Sequence, residues 1–290
     1  MKIIVMPKSK EELLSTLEFA DAFLLGLDKL CINMPKKYSL DEIKELINII
    51  QKNNKEVFIA LNKNMHNSDI PYLKDMLNLF DSIKVDAILY YDIAVVNLKE
   101  DNNLSIPLIW GQEHMTTNYV SSNYWHKHGS NYTLISAEIT IDEIEGIKDK
   151  AETELIVPIF GHISMFVSKR HLIKNYLNAF KIKDISKIHY MVKRDNAYPI
   201  IDDEDGTTVY SSHILNGIEE LPKLNEMGID YILLNSFNID SNIFADVVKM
   251  FKEANIDNVK ELSTKIDSQL LTNKGFLYSE TIYKVKKDGK

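Results

Sequence analysis

The chain has 290 residues, 45% of them hydrophobic, and a net charge of −8. That length can fill one sizeable core, since a single α/β barrel takes about 250 residues, and the negative balance argues against a non-specific nucleic-acid coat protein. No apolar run approaches the ~18 residues of a membrane span, and the single cysteine, Cys31, excludes an internal disulfide or an all-cysteine metal site, which fits a reducing cytoplasm.

Short β-branched runs alternate with amphipathic stretches along the chain. The opening segment reads as a strand, Ile3–Met6, too short for a secretory apolar core and with no small-residue cleavage site after it. The next strands expected are Ala22–Leu27, Val57–Leu61, Ala87–Tyr91, Pro107–Trp110, Thr133–Ser136, Glu154–Phe160 and Tyr231–Asn235. Several are almost wholly apolar, as strands covered on both faces must be. Between them, residues 41–50 put Ile43, Leu46, Ile47 and Ile50 on one helical face, with Ser39 and Glu42 spaced as a capping box. Residues 71–80 repeat the device behind Ser68 or Asp69. Thr140 and Glu143 do the same for 141–147, and Asp240 or Ser241 precedes the helix 243–251. Trp125, His126 and His128 fall on a helix after strand five and read as packing and surface.

Eight strand–helix alternations predict a parallel sheet closed into a TIM-like (β/α)8 barrel. An open doubly wound sheet is the alternative, but Pro7–Lys10 lacks the glycine-rich first turn of that fold. One stretch breaks the rhythm. Tyr198–Ile201 and Thr207–Tyr210 flank an acidic turn ending in Asp205-Gly206, a hairpin signal. The expected layout is one barrel domain over 1–255, a β-hairpin insertion at about 188–212 between strands seven and eight, and a C-terminal extension over 256–290 with a basic, frayed end at 284–290.

Functional side chains of such a barrel sit at the C-terminal strand ends. In order these are Asn62, Tyr91-Asp92, Gln112, Glu138, His162 and Asn235-Ser236. Glu138 ends an apolar run, where desolvation raises a carboxyl pKa and suits it to acid–base work; a carboxylate locked to a basic neighbour is the alternative. His162 reads either as a proton donor at the mouth or as a histidine satisfied by loop carbonyls. Cys31 reads as a small apolar residue. The acidic turn 202–205 lacks a full calcium-loop pattern and reads as solvated, so no metal site is expected. Between Ser168 and Arg194 lie Lys169, Arg170, Lys174, Lys181, Lys183, Lys187, Lys193 and Arg194 against Asp184 alone, a net +7 in an acidic chain. That clustering suits phosphate or RNA, with a solvated lysine-rich face as the alternative. No HExxH, GxSxG, Walker or CxxC motif occurs.

The segment from Phe160 to His171 (FGHISMFVSKRH) resembles the hallmark of the collagenase-like U32 peptidases, where a His-Gly pair, a cysteine and a Met-Ser-Tyr-Ser-Gly-Arg-Cys run are usual. Residues 57–62, 85–92, 112–118, 136–140 and 198–216 resemble further family segments in the same order. Ser164, His171 and Asn216 stand where members often carry cluster cysteines, and Lys193-Arg194 stand near the fourth. Iron–sulfur ligation needs thiolates, so no cluster is expected. Short members lacking these cysteines are similar to this chain. The resemblance implies work beside a larger, cluster-bearing family member in 5-hydroxylation of the tRNA wobble uridine, with prephenate as oxygen source. It also admits a peptidase acting on unfolded collagen-like chains, or a non-catalytic partner subunit. On the first reading Glu138 and His162 are the catalytic candidates. Asn62, Asp92, Gln112, Lys169, Arg170, Lys193 and Arg194 are the substrate-binding ones.

Overall fold

The computed structural model describes residues 1–279; the basic end expected at 284–290 lies outside the described residues. Eight parallel strands close on themselves. They are β1 (Lys2–Met6), β2 (Ala22–Leu27), β3 (Glu56–Leu61), β4 (Ala87–Tyr90), β5 (Leu108–Trp110), β6 (Ser130–Leu134), β7 (Glu154–Gly161) and β8 (Tyr231–Asn235). Closure comes from β8, which pairs with β1 through Lys2↔Tyr231 to Met6↔Asn235 and with β7 from Tyr231↔Ile156 onward. This is the (β/α)8 barrel that the eight alternations predict.

The period-two pattern of each strand builds two cores. Ile4, Met6, Ala22, Leu24, Phe58, Ala60, Leu89, Ile109 and Leu233 fill the barrel interior. Their neighbours Ile3, Val5, Phe23, Leu25, Ile59 and Ile88 face the helices. Phe58, Tyr132 and Tyr231 meet at 5.9 Å pairwise, the tilted and edge-on spacings that aromatic quadrupoles favour. Trp125 stacks on Trp110 at 4.2 Å, and His126 Nδ1 lies 3.1 Å from the Ser130 carbonyl, so that run does pack the helix to the barrel.

Capping follows the sequence at three helices, Asp240 accepting from the Asn242 and Ile243 N–H groups at the start of Ser241–Glu253, and departs at a fourth. Ser39–Glu42 and Thr140–Glu143 form complete capping boxes for Leu40–Lys52 and Ile141–Lys148. Asp69 precedes Ile70–Ser82 but gives no cap bond to it. Its carboxylate accepts from the His66 N–H instead, and Pro71 needs no partner for its nitrogen. Strand six also starts earlier than expected. Ser130 and Thr133 are buried there because hydroxyls satisfy each other: Tyr90 with Ser130 at 2.7 Å, and Ser122, Thr133 and Thr153 mutually at 2.8 Å. Ser136, Ala137 and Glu138 therefore belong to the loop beyond the strand.

The insertion between β7 and β8 is larger than a hairpin. Strands Ser164–Ser168, His189–Lys193, Asn196–Asp203 and Gly206–Tyr210 make a separate antiparallel sheet that carries the helix Leu172–Phe180. Half of it was illegible because Ser164–Ser168 follows β7 after two residues and reads as its loop. Past residue 255, the helix Val259–Asp267 packs near the turn Ile218–Glu220, and Thr272–Asn273 pairs with Ile214–Asn216.

Cys31 is buried, and burial pushes its thiol up to about 12. The folded protein should therefore resist a thiol reagent at neutral pH and react fully in denaturant. Fast labelling of the native protein would contradict this placement.

Candidate functional site

A pocket of about 860 Å3, counted with its open mouth, occupies the C-terminal end of the barrel. Its floor is Met6, Leu24, Leu89, Leu134 and Leu233, the top layer of the interior core. Asn62, Glu138, His162 and Asn235, expected at the strand ends, all line it. Gln112 lines an adjoining outer compartment with Lys63, Lys169 and Tyr91, which shares Asn62, Glu113 and His114 with the inner one. The convergence on one rim predicted by barrel geometry is therefore present.

Individual roles differ from the expectation. The Asn62 amide is committed to the backbone of Ile32, accepting from its N–H at 3.1 Å and donating to its carbonyl at 3.2 Å. It pins the loop after β2 rather than offering a free donor. Asp92 stands outside the inner pocket and accepts from the Met65 and Ala94 N–H groups at 2.8 and 2.9 Å, a loop-fastening role. Ser236 is wholly buried behind the rim.

Glu138 is not the desolvated carboxyl. Its side chain is 31% exposed and faces His114 Nδ1 at 3.2 Å. That character belongs to Glu113, where burial raises the carboxyl above its ordinary value against the opposing pull of the Asn33 amide. Asn33 Nδ2 donates to both Glu113 oxygens at 2.9 and 3.0 Å. Glu113 and His114 directly follow Gln112, and stopping at the first polar residue beyond the strand missed them. The adjacent Ser164 hydroxyl is buried in the wall, and its proximity also opposes the rise of the Glu113 carboxyl.

His162 is buried, and its ring meets Phe237 edge-on at 5.9 Å. Its Nδ1 lies 2.7 Å from the Ser211 carbonyl, so that nitrogen carries the proton and Nε2 is an acceptor on the pocket wall. Desolvation lowers its pKa, which outweighs the carbonyl contact that favours protonation. An unfolded histidine titrates near ~6.5 and the folded one lower, so stability should fall as pH drops through that value toward the folded one. His162→Gln should flatten this acid limb in urea midpoints measured against pH. An unchanged slope would remove the assignment. Glu113 acts with the opposite sign: its folded pKa is raised, so its contribution is complete below the unfolded value near ~4.3 and is lost as pH rises through the folded one.

The inserted sheet roofs this mouth. Thr208 Oγ1 donates to Asn33 Oδ1 at 2.9 Å, which ties the roof to the residue that holds Glu113. Val167, the register partner of Thr208, lines the outer compartment from above. Lys37 pairs with Asp203 at 2.7 Å and with Asp205, and Lys63 reaches Asp205 at 4.0 Å. Asp202 holds His171 Nδ1 at 2.8 Å. The acidic turn is thus the clasp between roof and barrel rather than a solvated loop. Lys169 contacts His66 Nε2 at 3.0 Å beside the outer compartment. Arg170 is exposed, and Lys193 and Arg194 lie exposed at a hairpin tip and line neither compartment. The four basic candidates therefore lie on the roof, and Lys169 alone among them borders the cavity.

An iron–sulfur cluster does not fit these residues. Asn216 Nδ2 is bonded to Asp267 at 2.9 Å, His171 is held by Asp202, and no thiol stands near Ser164. Among the described residues no group of three or more His, Cys, Asp or Glu side chains is placed to hold a metal, and no helix is long and apolar enough to cross a membrane.

The model of peptidase family U32 matches residues 11–281. tRNA hydroxylation protein P2 of Bacillus subtilis is 29% identical, with 97% of this chain and 99% of that protein covered. tRNA hydroxylation protein P1 of the same organism is 21% identical over 81% of this chain, which spans 58% of P1's length. Among solved structures, the U32 peptidase Mk0906 superposes with a TM-score of 0.55 at 11% identity, covering 81% of this chain and 92% of that one, which supports the shared fold.

Proposed function

The chain belongs to peptidase family U32, and on that premise we propose that it takes part in tRNA modification, in the 5-hydroxylation of wobble uridine beside a larger family member. The observation that carries this reading is the end-to-end likeness to tRNA hydroxylation protein P2, with P1 as a longer relative. Prephenate is taken as the co-substrate of that assembly, and the cytoplasm as its place of work. The +7 stretch supports the reading because it lies in the sheet over the mouth, where Arg170, Lys193 and Arg194 are exposed to phosphate oxygens and Lys169 borders the outer compartment. Glu138, Glu113, His114 and His162 are the groups for proton handling at the substrate, and Gln112 a donor at the outer compartment.

The peptidase reading is not favoured. Ser164 and Ser136 in the pocket wall bond no histidine, Cys31 is held as a buried thiol, and the His162 proton is directed at a carbonyl. Acyl transfer requires a nucleophile beside its base. Mass spectrometry of tRNA nucleosides from a strain lacking the gene tests the proposal. Loss of 5-hydroxyuridine derivatives is expected, and an unchanged content would remove the idea.

A further inference from the structure

The inner pocket has an uneven chemical lining. No lysine or arginine contributes to its wall, whereas two carboxylates, Glu113 and Glu138, do. The neutral His162 adds an Nε2 acceptor, and the Ser164 hydroxyl is buried there beside Glu113. Two of the wall's three amides are committed, Asn33 to Glu113 and Thr208 and Asn62 to Ile32, while Asn235 accepts from the Phe237 N–H through Oδ1 and offers its Nδ2. The floor is aliphatic. The lysines of this mouth, Lys63 and Lys169, stand in the outer compartment.

A ligand that fits this lining brings hydrogen-bond donors, offers an apolar face to the floor and carries no negative charge. An anion entering would stand beside two carboxylates in a medium of low dielectric, with no lysine or arginine in the wall and the one rim imidazole, His114, already facing Glu138. We propose that the inner pocket takes the neutral nucleoside portion of the target uridine, its base and ribose hydroxyls, and excludes the dianionic co-substrate, which is bound elsewhere in the assembly. The inference rests on the tRNA reading above and deepens it. A loop nucleotide is already partly unstacked and can be turned into such a cavity at modest cost. Its phosphates stay outside, on the side where the roof carries its basic residues.

Ligand-observed saturation-transfer NMR on the full chain tests this, with uridine and prephenate as probes. Uridine at millimolar concentration should show transfer that equimolar prephenate does not displace. In the Glu113→Gln, Glu138→Gln double variant the repulsion is gone and carboxylate acceptors become amides. Uridine transfer should weaken several-fold there, and prephenate should gain transfer. Displacement of uridine by prephenate from the wild-type chain, or no uridine transfer at all, overturns the inference. The two readings separate cleanly. A deletion strain that loses tRNA hydroxylation while the pocket takes prephenate defeats this inference alone, and unchanged tRNA with uridine bound defeats the tRNA reading alone.

Discussion

Glu138→Gln should lower the rate of tRNA hydroxylation about 10²–10⁴-fold, the usual contribution of one positioned acid–base group, with little change in thermal stability. The two halves of this expectation come from one geometry. Glu138 is partly exposed on the rim loop, and its carboxylate faces His114 at 3.2 Å. Gln preserves the shape, and its amide oxygen can still face the imidazole, so the fold loses at most one exposed pair worth ~0–1 kcal/mol. What disappears is the carboxylate proposed above for proton handling at the substrate. The check is an initial-rate assay with the larger family member, unmodified tRNA and prephenate, read beside a melting curve. A variant of full activity would free Glu138 from any chemical role. A variant that fails only because it unfolds would show a melting temperature many degrees lower, and Asp at the same position would then not restore the rate.

Gly161→Ala should be strongly damaging for a single added methyl. Gly161 adopts φ +124, which L side chains rarely enter, and an added Cβ would lie 2.7 Å from both the Asn235 carbonyl oxygen and its Cβ. Strain of this kind costs on the order of 1–3 kcal/mol before the clash is counted. The backbone must then shift where β7 meets β8, next to His162. Gly146→Ala is the matched control. That residue lies within the helix Ile141–Lys148, and an added Cβ meets nothing within 4 Å. Alanine there should stabilise by about 0.5–1 kcal/mol. Urea denaturation of the two variants should therefore move the midpoint in opposite directions. Equal midpoints would contradict the close approach of the two strands.

The barrel was legible because its cause is local and repeated. β1 to β8 announce themselves by apolar runs with two-residue periodicity, and the helices by 3.6-residue stripes behind capping residues such as Ser39 and Thr140. The start of β6 was hidden because hydroxyl groups of Tyr90, Ser122, Ser130, Thr133 and Thr153 satisfy one another across strands and helix, a pairing between residues up to 40 positions apart that composition does not reveal. The rim could be read as a list of strand ends, and Glu138 and His162 fell within it. Which carboxyl would be desolvated could not, since the burial of Glu113 depends on Asn33 from another loop and on the inserted sheet above. For the same reason the acidic turn looked solvated, because its partners Lys37 and Lys63 come from more than 130 residues earlier.

If this pocket serves tRNA hydroxylation, complementation with pocket variants will expose it. A strain lacking the gene receives the wild-type chain or the Glu113→Gln, Glu138→Gln variant, and its tRNA nucleosides are quantified by mass spectrometry with protein levels matched. The account predicts that the wild type restores 5-hydroxyuridine derivatives and that the variant leaves them at the deletion level. Full restoration by the variant would contradict it, because the chain would then act through some surface other than this mouth.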